Sequence, residues 1–209
     1  MKIEIKKILS KDEIKIFEKY KTPAKIQDFI NTIPMRSDSF EPIVRSPREV
    51  IYVGKASCIE GAMLACAMLA YHGYSTSLLD LKVDAKNNID CDHVVAIFKI
   101  DKHFGAISKT THSVLRYREP VYSSIRELAM SYFHEYFLDD GTKTLRSFST
   151  KFPLLKKYKT NWITEKNDLY EIACELDNSP HTQILTQKTI CSLRKADPIE
   201  IKAGGLKEN

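Results

Sequence analysis

With 209 residues, 43% of them apolar and 28% charged, the chain can bury a sizeable core and has neither a disordered nor a disulfide-dense composition. No apolar run is long enough to span a bilayer, and residues 1–7 lack the apolar centre of a signal peptide, so a cytoplasmic location without membrane contact is expected. The five cysteines lack C-x-x-C spacing, which argues against a zinc knuckle, and the net charge of +5 is dispersed rather than gathered into a nucleic-acid motif.

Ser10 and Glu13 form a capping box that predicts a helix to about Tyr20. Thr22-Pro23 and Ser46-Pro47 each place a capping residue before a proline at the first helical position, predicting helices over about 23–31 and 47–53. Between them residues 31–45, with Pro34, Ser37, Asp38, Ser39 and Pro42, read as a loop able to border a cleft. Ser57-Cys58-Ile59-Glu60 repeats the capping box and opens a run through Met63, Leu64, Cys66, Met68 and Leu69 to His72, where Gly73 is the terminator. Glu60 is its only charged residue, so this helix belongs at the centre of the fold.

Residues 77–83 and 93–100 are short and β-rich, separated by a polar stretch over 84–92. Asp101-Lys102 reads as a hairpin turn into a third strand, 103–108. A helical pattern from Ser123, with Ile125, Leu128, Ala129, Tyr132, Phe133, Tyr136 and Phe137 as an apolar stripe, runs to about Asp140-Gly141. Another helix is expected over 165–176, after Trp162, and the tail from His181 has no clear pattern. The expected fold class is α+β, a central helix packed on an antiparallel sheet with additional helices. One domain is expected over 1–209, with an N-terminal helical extension (1–45), a core (46–150) and a C-terminal extension (151–209).

Cys58 falls in the first turn of the central helix, where unpaired N–H groups and the positive end of the helix dipole favour a thiolate. A cysteine nucleophile needs an imidazole base, and His93, opening a strand beside that helix, is the best placed. His72 lies at the far end of the helix, about 20 Å away at 1.5 Å per residue. His103 sits near the hairpin tip, and His112, His134 and His181 have no comparable placement. Spacing alone nevertheless favours inert packing, because cysteine is among the most buried residue types. Cys66 reads as packing. Cys91 with Asp90, Asp92 and His93 is a weak metal signal, since strand neighbours point to opposite faces and metal ligands must converge. The same alternation makes Asp92 a poor orienter of His93, and Asp90 and Asp92 read as solvated carboxylates. The basic stretch Lys151, Lys156, Lys157 and Lys159 reads as solvated surface.

Cys58 at a helix start, then a strand, then His93 on a strand, then Phe104-Gly105-Ala106-Ile107-Ser108-Lys109-Thr110 on the next, resembles the transglutaminase-like superfamily of papain-like cysteine enzymes. Arg116-Tyr117-Arg118-Glu119-Pro120-Val121-Tyr122 and Met130-Ser131-Tyr132-Phe133 extend the resemblance, over about residues 45–150, to a little-characterised bacterial branch. It implies Cys58 as nucleophile and His93 as base and then acid, with a thioester intermediate and no metal or other cofactor. Peptide, protein or small amide substrates are implied. The family's third member is an aspartate before Pro-Thr. Here that position is Ser108, which can accept a hydrogen bond from His93 but carries no charge.

The implied function is a cysteine-dependent hydrolase or acyl transferase acting on an amide or peptide bond. The alternative is a catalytically degenerate binding or scaffold protein of the same fold. With the hairpin centred on Asp101-Lys102, Thr110 is expected opposite His93 and Ser108 diagonal to it on the same face. The segment Arg116-Tyr117-Arg118-Glu119 reads as a structural ion-pair loop, with a cleft rim as the alternative.

Overall fold

The computed structural model describes residues 2–36, 43–83 and 92–207. Its first helices follow the capping signals. α1 (Lys2–Ile8) is followed by α2 (Lys11–Lys19), where Glu13 and Ser10 cap each other reciprocally. α3 (Pro23–Thr32) and α4 (Pro47–Val53) carry proline in the first turn behind Thr22 and Ser46. α5 (Cys58–Tyr71) is capped by Ser57, and every residue from Glu60 to Tyr71 is buried. A helix this apolar is stable only when surrounded, and it is. Gly73, at φ +89°, turns the chain out of α5 in a conformation that side chains resist.

The sheet has six antiparallel strands in the order β4-β3-β2-β1-β5-β6. β1 (Ser75–Val83), β2 (His93–Ile100) and β3 (His103–Ser108) form its centre. β4 (Arg118–Tyr122) and β5 (Leu145–Ser149) flank them, and β6 (His181–Gln183) closes one edge. The β2–β3 turn is at Asp101-Lys102, with Val95 opposite Ser108 and Ile100 opposite His103. Both faces of the sheet are covered. Leu78, Val94, Ala96, Phe98 and Ile107 join α5 and the N-terminal helices in one core, which includes Ile5, Phe17, Ile26 and Ile30. The alternate residues Leu79, Leu81, Val95, Ile97 and Ala106 pack against Leu128, Ala129 and Tyr132 of α6 (Ile125–Phe133). Burial on both faces explains why β2 reads as an unbroken apolar run.

Two helix boundaries differ from expectation. α6 stops at Phe133 and does not reach Asp140, because Tyr136 leaves the helix to bond the backbone of Thr144 and Phe137 bridges to Lys143. The expected helix over 165–176 begins only at Tyr170 (α8, Tyr170–Asp177). Ahead of it, Glu165 accepts from the Lys166 and Asn167 amides, and Asp168 accepts from Val44 and Tyr170. Such side-chain to backbone bonds compete with helix formation. β5 had no strong signal in the sequence; it is paired by β1 and β6. The remaining helices are α7 (Leu154–Tyr158), α9 (Gln187–Cys191) and α10 (Pro198–Gly204). Among the described residues no helix is long and apolar enough to cross a membrane.

Candidate active site

Cys58 occupies the first position of α5, and the surroundings of Glu60 fix that position. The Glu60 carboxylate, wholly buried, accepts from the Ser57 amide at 2.6 Å and the Arg45 amide at 2.9 Å. The guanidinium groups of Arg36 and Arg45 lie 3.5 and 3.6 Å from it. A buried carboxylate needs this compensation, which ties the chain on either side of the 37–42 segment to the helix start. Main-chain bonds from Arg36 to Ala56 and from Ala56 to Pro34 complete the tie.

His93 begins β2 at the same end of the sheet. Its Nε2 lies 2.6 Å from Ser108 Oγ, and both residues are buried. The register accounts for the pair: Val95 faces Ser108, so continuing the ladder puts Thr110 opposite His93 and Ser108 diagonal to it on one face. By strand alternation that face is the α6 side, whereas Cys58 comes from the helix on the other side. Both Cys58 and His93 line a cleft of about 370 Å³ at the end of the sheet. Burial, and then the nearby His112, depresses His93 from its usual 6.5 to about 4. The imidazole is therefore neutral near pH 7, in which form it can accept a proton.

Other sequence readings can now be placed. Cys66 is buried in α5, accepts from the Thr76 hydroxyl at 3.2 Å, and burial pushes its thiol up to about 12. Asp92 does not orient His93. Its Oδ1 accepts from the Val83 amide at 2.8 Å, so this half-buried carboxylate is not the solvated group expected from the sequence. Asp90 and Cys91 lie outside the described residues. Among the described residues the carboxylates of Asp80, Asp92 and Asp177 are close enough to share a cation. Lys82 bonds Asp177 and His181 bonds Asp80, so basic side chains already compensate this cluster. None of Arg116, Tyr117, Arg118 and Glu119 lines the cleft. Arg118 pairs with Glu135 at 2.7 Å and stacks on Tyr132, which is a structural role. In the basic stretch, Lys157 pairs with Glu175.

Several cleft residues carried no sequence signal. His112, which had no assigned placement, lines the cleft and bonds the Thr110 hydroxyl through its amide at 3.1 Å. Tyr136, Phe137 and the α10 residues Ile201 and Gly204 form another wall, held there by main-chain contact between His112-Ser113 and Leu206-Lys207. The Gln27 side chain, from α3, bonds both the N–H and the C=O of Ser108.

No protein-family profile and no curated protein matches the chain. Among solved structures it is similar to Legionella pneumophila LapG, at a TM-score of 0.38 and 14% identity over 52% of this chain and 70% of that one. It is similar to the EGTA-treated form of that protein at the same score and identity, over 52% of this chain and 68% of the other.

Proposed function

We propose that the chain is a cysteine-dependent hydrolase or acyl transferase of the transglutaminase-like kind, acting on an amide or peptide bond. The observation that carries this reading is the shared cleft: Cys58 at the start of α5 and His93, with its Nε2 on Ser108, both line it. Neutral His93 takes the Cys58 thiol proton as sulfur attacks the substrate carbonyl. First-turn N–H groups of α5, including that of Cys58, stabilise the oxyanion. The C–N bond breaks as His93 returns the proton to the leaving amine, leaving a thioester on Cys58. Water or a second amine then attacks the thioester. His93 takes the attacker's proton and passes it to the departing thiolate, which regenerates the starting state.

Ser108 alters this chemistry. A carboxylate would stabilise an imidazolium, whereas a hydroxyl only directs the ring. The depressed His93 supports a neutral thiol and imidazole in the resting state, with proton transfer concerted with attack, rather than a standing ion pair. The test is incubation with a panel of peptide and glutamine-amide esters, followed by intact mass. An acyl adduct present in the wild type and absent in Cys58→Ala supports the reading. Absence of any adduct and of any turnover across the panel favours the binding or scaffold reading, which the uncharged Ser108 motivates.

A further inference from the structure

We propose that Gln27, on α3, is a positioning residue that aligns His93 by fixing the main chain of Ser108. This rests on the reading of Cys58, His93 and Ser108 as the reacting group. β4 pairs with β3 only at Phe104 and Ala106. Strand alternation points the N–H and C=O of Ser108 toward the same side as those of Ala106, beyond the reach of β4. Gln27 takes the place of the missing strand. Its Nε2 donates to the Ser108 carbonyl at 2.8 Å, and the Ser108 amide donates to its Oε1 at 2.9 Å. Nε2 also donates to Asn31 Oδ1 at 2.7 Å, which sets the direction of the amide.

A primary amide is the side chain that offers donor and acceptor together as a strand does. Gln27 is 4% exposed and Ser108 is 0% exposed, so water does not substitute for either bond. The clamp matters more here than it would beside a carboxylate. A carboxylate holds an imidazolium by charge over a range of angles, whereas the Ser108 hydroxyl holds His93 only through a directional bond that weakens steeply with misalignment. Fixing the Ser108 backbone therefore fixes where its Oγ meets His93 Nε2; since base action by Nδ1 requires the proton on Nε2, the productive tautomer is the one with Nε2–H donating to Ser108 Oγ.

The experiment uses the full chain with 15N-labelled histidine, the His93 signals being assigned with His93→Gln, and residue-resolved alkylation of Cys58 and Cys66 by mass spectrometry. In the wild type the two ring nitrogens of His93 are expected at separate shifts, one protonated and one bare. In Gln27→Leu they should converge as the tautomers mix, and Cys58 alkylation should fall about tenfold, the loss expected for one aligned hydrogen bond, with Cys66 still protected. Gln27→Glu keeps the acceptor for the Ser108 amide but loses the donor to its carbonyl, and should give intermediate values; it carries the test if the leucine variant does not fold. Wild-type ring shifts in either folded variant overturn the proposal. So does a rise in Cys66 labelling that accompanies the loss at Cys58, which marks general loosening. If wild-type Cys58 is itself unreactive, the catalytic reading fails, while the His93 shifts still decide the role of Gln27.

Discussion

Gly61 and Lys109 meet where α5 packs on the end of β3: a Cβ on Gly61 would lie 2.4 Å from the Lys109 Cβ and 2.8 Å from its Cγ. Gly61 is one turn along from Cys58, and Lys109 follows Ser108, so the missing side chain lets the helix start and the strand end close on each other. Gly61→Ala gains up to about 1 kcal/mol of helix propensity. Overpacking of a buried contact costs about 1–3 kcal/mol. The overlap should win, because the obstructing atoms are the stem of a buried Lys109 rather than its mobile end. Urea unfolding is expected to show a net loss of about 1 kcal/mol; an alanine variant as stable as wild type counts against this close approach.

Folding stability should depend on His93 between pH 7 and 4. The folded protein holds His93 near 4 against an ordinary 6.5, so below pH 6.5 the unfolded chain binds a proton that the folded one refuses. Stability present above pH 6.5 is then lost as the pH falls toward 4, by up to about 3 kcal/mol. Asp80, pushed up to about 6 by burial and by Asp92, titrates in the same window with the opposite sign. The difference between wild type and His93→Gln isolates the histidine contribution. The stability of wild type relative to His93→Gln should rise by up to about 3 kcal/mol as pH goes from 4 to 7, and a pH-independent difference would refute the assignment.

Cys58 should alkylate faster than Cys66 at pH 7 by on the order of a hundredfold. A thiol held near 12 has far less thiolate than an ordinary one near 8.5, and its greater intrinsic nucleophilicity recovers only part of the deficit. Exclusion of reagent from the buried α5 widens the gap. Peptide mapping after brief iodoacetamide treatment measures it, and equal, slow labelling of both would sink the nucleophile reading.

Ser108→Asp should convert the site toward a standing ion pair. A carboxylate beside Nε2 favours imidazolium, raising His93, and the imidazolium in turn favours the Cys58 thiolate. Alkylation of Cys58 at pH 6 is expected to rise about tenfold, equivalent to about one pH unit of displacement in the profile. An unshifted profile in a folded variant would mean that His93 and Cys58 do not communicate.

Local chemistry determined much of this protein from the sequence. The capping boxes at Ser10/Glu13 and Ser57/Glu60, and the prolines after Thr22 and Ser46, specify helix starts through contacts three residues apart. The uniformly apolar α5 specifies its own burial. The Asp101-Lys102 turn sets the register that brings Ser108 onto the face of His93, because a hairpin allows little choice once its turn is fixed. Tertiary structure alone decided what surrounds that pair. Gln27 reaches Ser108 across 81 residues of sequence. Leu206-Lys207 docks beside His112, and β5 and β6 find partners far along the chain. None of these groups has a local pattern, since each satisfies a donor, an acceptor or an apolar surface that exists only after the sheet and α5 have come together.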